Sequence, residues 1–148
     1  MQQRVWSAVM GACLGMIGIF GTVGADQSVK AGGFVVHYNA YSADTLQPEI
    51  AKLYDITRSR SRGVVVVSVL KGEGSAAKGV KADVSGTSVN LNGQLRELDM
   101  REIREGQSLY YVSDFAVTQE ETLDFTFSVT PEGGSAVPVK FRQQFFTQ

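Results

Sequence analysis

The sequence has 148 residues, with 14 basic and 15 acidic side chains, one histidine and one cysteine. So near-neutral a chain lacks the basic stripe that a nucleic-acid binder presents, and no nucleic-acid partner is expected. With His37 and Cys13 each single in the chain, thiolate clusters and multi-histidine metal sites are excluded, and no cofactor is expected.

The first 25 residues read as a secretory signal peptide. Arg4 supplies a short basic start, Val5 to Phe20 an apolar stretch, and Val23-Gly24-Ala25 the small residues of a cleavage site, with the cut expected between Ala25 and Asp26. The apolar stretch is short and broken by glycines, whereas a membrane span needs roughly 20 apolar residues, so no stable membrane insertion is expected after cleavage. Met10-Gly11-Ala12-Cys13 faintly resembles a lipobox, but Cys13 lies in the middle of the apolar stretch, which argues against lipidation. The remaining 123 residues, 26–148, keep 13 basic and 15 acidic side chains, for a net charge of −2. Cys13 and Trp6 leave with the signal. What remains is one domain by length, built without disulfides and expected in the periplasm.

Asp26 to Gly33 reads as a polar lead-in. A first strand runs from Phe34 to about Tyr41, with Phe34, Val36 and Tyr38 alternating against Val35, His37 and Asn39. Pro48 opens a short helix to Tyr54, where Leu46, Ile50, Leu53 and Tyr54 recur at helical spacing and lay an apolar side over an end of the core. Arg58-Ser59-Arg60-Ser61-Arg62-Gly63 then leads into Val64 to Leu70, a β-branched run apolar at both parities. This is the central strand, buried on both faces.

A glycine-rich loop follows Lys71. A third strand spans Val80 to Leu91, with Gly86 as a bulge, and Asn92-Gly93 predicts a type I′ hairpin. The fourth strand, Gln94 to Arg104, has a parity fault: Leu98 and Met100 share one face, Leu95 and Ile103 the other. A bulge or an edge position is the expected repair. Leu109 to Val117 is the fifth strand. The sixth alternates cleanly through Leu123, Phe125, Phe127 and Val129, and the seventh through Val137, Val139, Phe141 and Phe145. Pro138 cannot donate to a ladder, so the seventh strand is expected at an edge. The pattern predicts a mainly β fold: an antiparallel immunoglobulin-like β-sandwich of about seven strands with one short helix.

These residues resemble a family of small exported proteins of Gram-negative bacteria that is catalogued as a domain of unknown function. The matching pieces are His37-Tyr38-Asn39-Ala40, Ile56-Thr57-Arg58-Ser59, Arg62-Gly63, Gly86-Thr87, Leu91-Asn92-Gly93-Gln94-Leu95, Arg101-Glu102-Ile103-Arg104-Glu105, Tyr110-Tyr111-Val112, Glu121-Thr122-Leu123 and Gln143-Gln144-Phe145-Phe146. The resemblance covers nearly all of residues 26–148. It implies an exported single domain and carries no activity or catalytic residue with it.

Five residues stand out as weak ligand-binding candidates. Arg58, Arg60 and Arg62 alternate, which places them on one side of an extended segment, where arginine forks can hold a carboxylate or phosphate. The bland alternative is ion pairing with acids on neighbouring strands. His37 and Asn39 share a face of the first strand, and a structural histidine is favoured there over a catalytic one. Glu97, Asp99 and Arg101 share a face of the fourth strand, but their alternating signs suit cross-strand pairing better than acid–base work. No serine carries a nucleophile motif. Tyr110-Tyr111 and Phe145-Phe146 each put one aromatic inward and one outward, and an outward aromatic on an edge strand suits partner binding. The expected role is a non-catalytic binding or interaction module of the envelope with a protein partner. The alternative is a binder of small anions on the arginine segment. Nothing in the pattern fixes the oligomeric state.

Overall fold

The computed structural model describes residues 27–148. The signal peptide expected at positions 1–25 lies outside the described residues. No helix among those described is long and apolar enough to cross a membrane.

The fold is organised around strand β3 (Arg62–Lys71). Its Val65, Val67 and Val69 are fully buried on one face and Val64 on the other. Burying one such side chain is worth ~1.5–3 kcal/mol, so a run of this kind stays in place only if both faces are covered. On one side β3 pairs with β2 (Phe34–Ser42) along its length. On the other it pairs with β8 (Ser108–Ala116) through Val67, and then with β4 (Lys78–Gly79) at Leu70 and Lys71. β1 (Gln27–Ala31) lies outside β2, and β7 (Arg101–Glu105) outside β8. The second sheet runs β10 (Val137–Phe145), β9 (Glu121–Pro131), β5 (Ala82–Asn90) and β6 (Leu95–Leu98). All pairings are antiparallel.

The main core fills the space between the sheets, where Phe115, Phe125, Phe127, Phe141 and Phe145 pack ring against ring at centroid distances of 4.8–6.5 Å. A second, smaller core lies on the outer face of the first sheet. There α1 (Pro48–Leu53) and its flanks bring Ala43, Leu46, Ala51, Tyr54 and Ile56 onto Val64 and Val112. The helix therefore covers the outer face of the sheet rather than an end of the core. A six-residue helix has too few turns to stand alone, so this burial holds it.

The two-sheet sandwich agrees with the predicted fold class, and the differences lie in the strand count. There are ten strands among the described residues rather than about seven. The polar lead-in is edge strand β1, which needs only one buried face, supplied by Val29 and Ala31. β4 adds a two-residue strand. The predicted fourth strand divides at Asp99 and Met100, where the chain leaves the second sheet and joins the first. The parity fault is this change of sheet, not a bulge. Leu98 faces the main core, whereas Ile103 packs against the core under α1.

Gly86 is not a bulge either. Its register is unbroken on both sides, opposite Leu98 and Phe127. The glycine is there because a Cβ would overlap the Phe127 ring. The β5–β6 turn is a three-residue loop, Leu91–Gly93, in which only Gly93 has positive φ. The side-chain oxygen of Asn90 accepts the N–H groups of Asn92 (3.0 Å) and Gln94 (2.9 Å), which favours a type I turn with a left-handed glycine over type I′. β10 is an edge strand, as Pro138 requires.

Gly63 tests the packing around β3. A Cβ there would overlap the Phe115 ring and come within 2.9 Å of Phe145. Gly63→Ala is expected to lower the unfolding free energy by about 1–3 kcal/mol, the usual range for overpacking a filled core. Urea denaturation followed by circular dichroism would measure it; an unchanged midpoint would mean that the rings are free to move aside.

Candidate functional site

The three candidate arginines do not converge. Only Arg62 belongs to β3. Arg58 to Ser61 do not form an extended segment: Ser59 turns the chain, its hydroxyl accepting the Ser61 N–H at 3.2 Å and its carbonyl the Arg62 N–H at 3.4 Å. This corrects the expectation that all three lie on one side. Arg58 donates to the Asp44 carbonyl at 3.1 Å, and Arg60 lies 3.5 Å from the Asp44 carboxylate. Both therefore sit at the 3-10 turn Ala43–Thr45 that precedes α1.

Arg62 lies on the outer face of the first sheet, and there it finds Asp114. It makes a two-pronged contact with Asp114 Oδ2 through Nε (3.0 Å) and Nη2. Arg101 donates to the second oxygen of Asp114 at 3.1 Å and to the Tyr54 carbonyl at 3.0 Å. One carboxylate thus holds two guanidinium groups from strands on either side of β8, and Arg101 ties the group to the end of α1. Arg101 Nε is buried with no partner. Burial pushes the Asp114 carboxyl up, but the hydrogen bonds and charges of Arg62 and Arg101 outweigh that and hold it below its ordinary value. Asp114 already holds Nε and Nη2 of Arg62, so a ligand anion on those two donors would compete with it. Asp114 lies 52 positions from Arg62 in the chain and the sequence reading missed it. Its signal was present, as the only acid in the fifth predicted strand and at the parity opposite the core.

Glu97 and Arg101 fall on different sheets, so the predicted charged face of the fourth strand does not exist. Glu102 instead pairs with Arg104 (3.1 Å) and Lys81 (4.0 Å). His37 and Asn39 do share the outer face of β2, yet they open onto different cavities. Asn39 lines one of about 580 Å³, walled by Tyr41, Leu46, Ile50, Phe145 and Phe146. Burial, with the neighbouring Tyr54 phenol second, pushes the Tyr41 hydroxyl up to about 12, so it stays neutral there. This cavity lies between two strand edges: among the described residues β1 pairs with β2 as far as Tyr38, and β10 ends the second sheet. The aromatic pairs divide as expected. Tyr111 and Phe145 are buried, Tyr110 is half-buried beneath Tyr54, and Phe146 is 53% exposed at the cavity rim. His37 opens onto a second cavity of about 840 Å³, between the β1–β2 turn and the loop after β3. No group of three or more His, Cys, Asp or Glu among the described residues could hold a metal ion.

The model of the family described as "Domain of unknown function (DUF4426)" matches residues 28–148. None of the curated proteins matches the chain. Among solved structures, a DUF4426 family protein from Pseudomonas aeruginosa is similar at 31% identity and a TM-score of 0.73, over 83% of this chain and 96% of that one. FetP of uropathogenic Escherichia coli, expressed in the E. coli periplasm, is similar at 11% identity and a TM-score of 0.59, over 84% of this chain and 95% of its own. A copper-bound variant of FetP gives 12% identity and a TM-score of 0.59, over 84% and 97%. At that identity the FetP likeness shows the fold alone.

Asp114→Asn tests whether the arginine cluster is a structural clamp. The folded-state pKa of Asp114 is lowered, so its contribution to stability is complete above the unfolded value of about 3.9 and is lost as pH falls through the folded one. At pH 7 the variant is expected to lose about 2 kcal/mol, the scale of a hydrogen bond to a charged group, because Asp114 and both arginines are only partly buried. The gap between wild type and variant should begin to narrow below about pH 4 and close only below the lower folded-state pKa. Chemical denaturation across pH would show this; a gap that does not change with pH would contradict the clamp.

Proposed function

Because the chain belongs to the DUF4426 family, described as a domain of unknown function, we propose its role from its own geometry: it is a periplasmic module of the cell envelope that binds a partner and has no catalytic machinery. The observation that carries this reading is the cavity between the edges of β2 and β10. It combines apolar walls, the exposed ring of Phe146 and a stretch of β2 beyond Tyr38 that has no partner on its β1 side among the described residues. Unpaired edge backbone can hydrogen-bond an added extended segment, and pockets beside it select that segment's side chains. The occupant is thus an extended segment of an envelope protein. The signal-like positions 1–25 support export, and a similarly folded protein, FetP, has been produced in a periplasm.

A second reading keeps an anionic ligand at the arginine segment, restricted to Arg58 and Arg60. Arg60 favours it, because its side chain is 69% exposed and it pairs with Asp44 only at 3.5 Å. Such exposed pairs contribute little and exchange readily for another anion.

Each reading has its own test. A photo-crosslinking amino acid in place of Phe146 should trap one envelope protein in cells, whereas the same group in place of Lys140, on the outer face of the second sheet, should trap none. Identical products from both positions would defeat the partner reading. For the second, an anion panel should raise the melting temperature of the wild type but not of Arg60→Ala, with both proteins equally folded. A wild type that no anion stabilises rules it out.

A further inference from the structure

The second cavity lies on the half of the first sheet's outer face that α1 leaves uncovered. Its floor is Val35 and Leu70, which stand directly opposite each other in the β2–β3 register. Both are half-buried, although they face away from the main core. One wall is the β1–β2 turn at Gly32 and Gly33, the other the loop from Gly72 to Ala77. At Gly32, Gly33 and Gly74 an added Cβ would meet nothing within 4 Å, so the walls stand clear of each other.

Charges of both signs reach this space. Lys30 pairs with Val35 in the β1–β2 register, so it rises from the same face beside the floor. His37 stands two residues along from Val35 on that face. Glu73 comes from the opposite wall. Six ion pairs join other charged side chains, but among the described residues neither Lys30 nor Glu73 takes part in one. The cavity is therefore lined by an exposed cation and an exposed anion, neither in an ion pair among the described residues, beside an apolar floor.

We propose that this cavity binds a small zwitterion with an apolar body, of the kind presented by an apolar α-amino acid or a short apolar peptide. A simple anion would satisfy Lys30 and be repelled by Glu73; a simple cation would suffer the reverse. A zwitterion satisfies both. Its carboxylate takes the Lys30 ammonium, with a ring N–H of His37 as second donor. Its ammonium takes the Glu73 carboxylate, and its side chain covers Val35 and Leu70. Such a site, with an apolar lining and a few convergent polar groups, has the usual makeup of a small-ligand pocket. The proposal rests on the reading of the chain as a binding module and adds a ligand class at a different cavity from the one assigned to a protein partner.

The test is calorimetric titration of the exported protein with leucine, leucinamide, N-acetyl-leucine and leucyl-leucine. Free leucine should bind, and capping either end should weaken binding about tenfold, the scale of one charge-assisted hydrogen bond. In Lys30→Gln, leucine and leucinamide should bind alike; in Glu73→Gln, leucine and N-acetyl-leucine should bind alike. Both side chains are exposed, so neither variant should lose its fold. Tighter binding of leucyl-leucine than of leucine would assign the site to peptides, and the reverse to free amino acids. Three results would each overturn the proposal: equal affinity for free and capped forms, no discrimination between the two variants, or no zwitterion binding with a Kd below about 1 mM. Crosslinking at Phe146 is independent of all three, so a protein partner found there would leave the wider reading intact.

Discussion

The structure depends on the burial of β3 from both sides. A strand with valines at both parities cannot face water on either face without exposing a row of apolar side chains. One face is met by the second sheet, through the aromatic packing around Phe125. The other requires a second covering layer, and the chain supplies it from the stretch between β2 and β3. The 3-10 turn, α1 and Ile56 fold back over Val64 and Val112. A short helix of little intrinsic stability thus becomes indispensable, because the sheet beneath it would otherwise be exposed. Its cover reaches only the half of the sheet nearer Arg62. The other half, around Val35 and Leu70, remains open.

The charged residues follow the same division. Where the second layer meets the sheet, charge is paired and directed inward: Arg62 and Arg101 share Asp114, and Arg101 reaches on to the Tyr54 carbonyl. Such an arrangement can fix the helix end to three strands at once. The same carboxylate already holds Nε and Nη2 of Arg62. Where the layer ends, Lys30 and Glu73 take part in no ion pair among the described residues, and they line a cavity with an apolar floor.

Much of this was legible in the sequence, for reasons that particular residues make clear. The β3 run and the alternation of Leu123 to Val129 specify strands because their burial is regular. β1 escaped notice because an edge strand needs only Val29 and Ala31 inside, and five residues with one lysine read as a polar lead-in. The change of sheet at Asp99 was visible as a shift in parity, but a bulge produces the same shift in a one-dimensional pattern. Asn92-Gly93 suggested the wrong turn, because the competing acceptor was the side chain of Asn90, two residues upstream. The candidate site was the least legible part. The link from Arg62 to Asp114 exists only through the β3–β8 register, and alternation alone could not show that Ser59 turns the arginines apart. Of the five candidates, His37 opens onto the cavity given a ligand, and Asn39 onto the one given a partner.

The central claim is that the uncovered half of the outer sheet face receives the small ligand while the arginine cluster serves the fold. Amide chemical shifts recorded during a titration with leucine would locate the response directly. The account predicts perturbations confined to the Lys30–His37 hairpin and the Leu70–Ala77 loop, with Arg62, Arg101 and Asp114 unmoved. Perturbations centred on Arg58 to Arg62, with the hairpin silent, would contradict it.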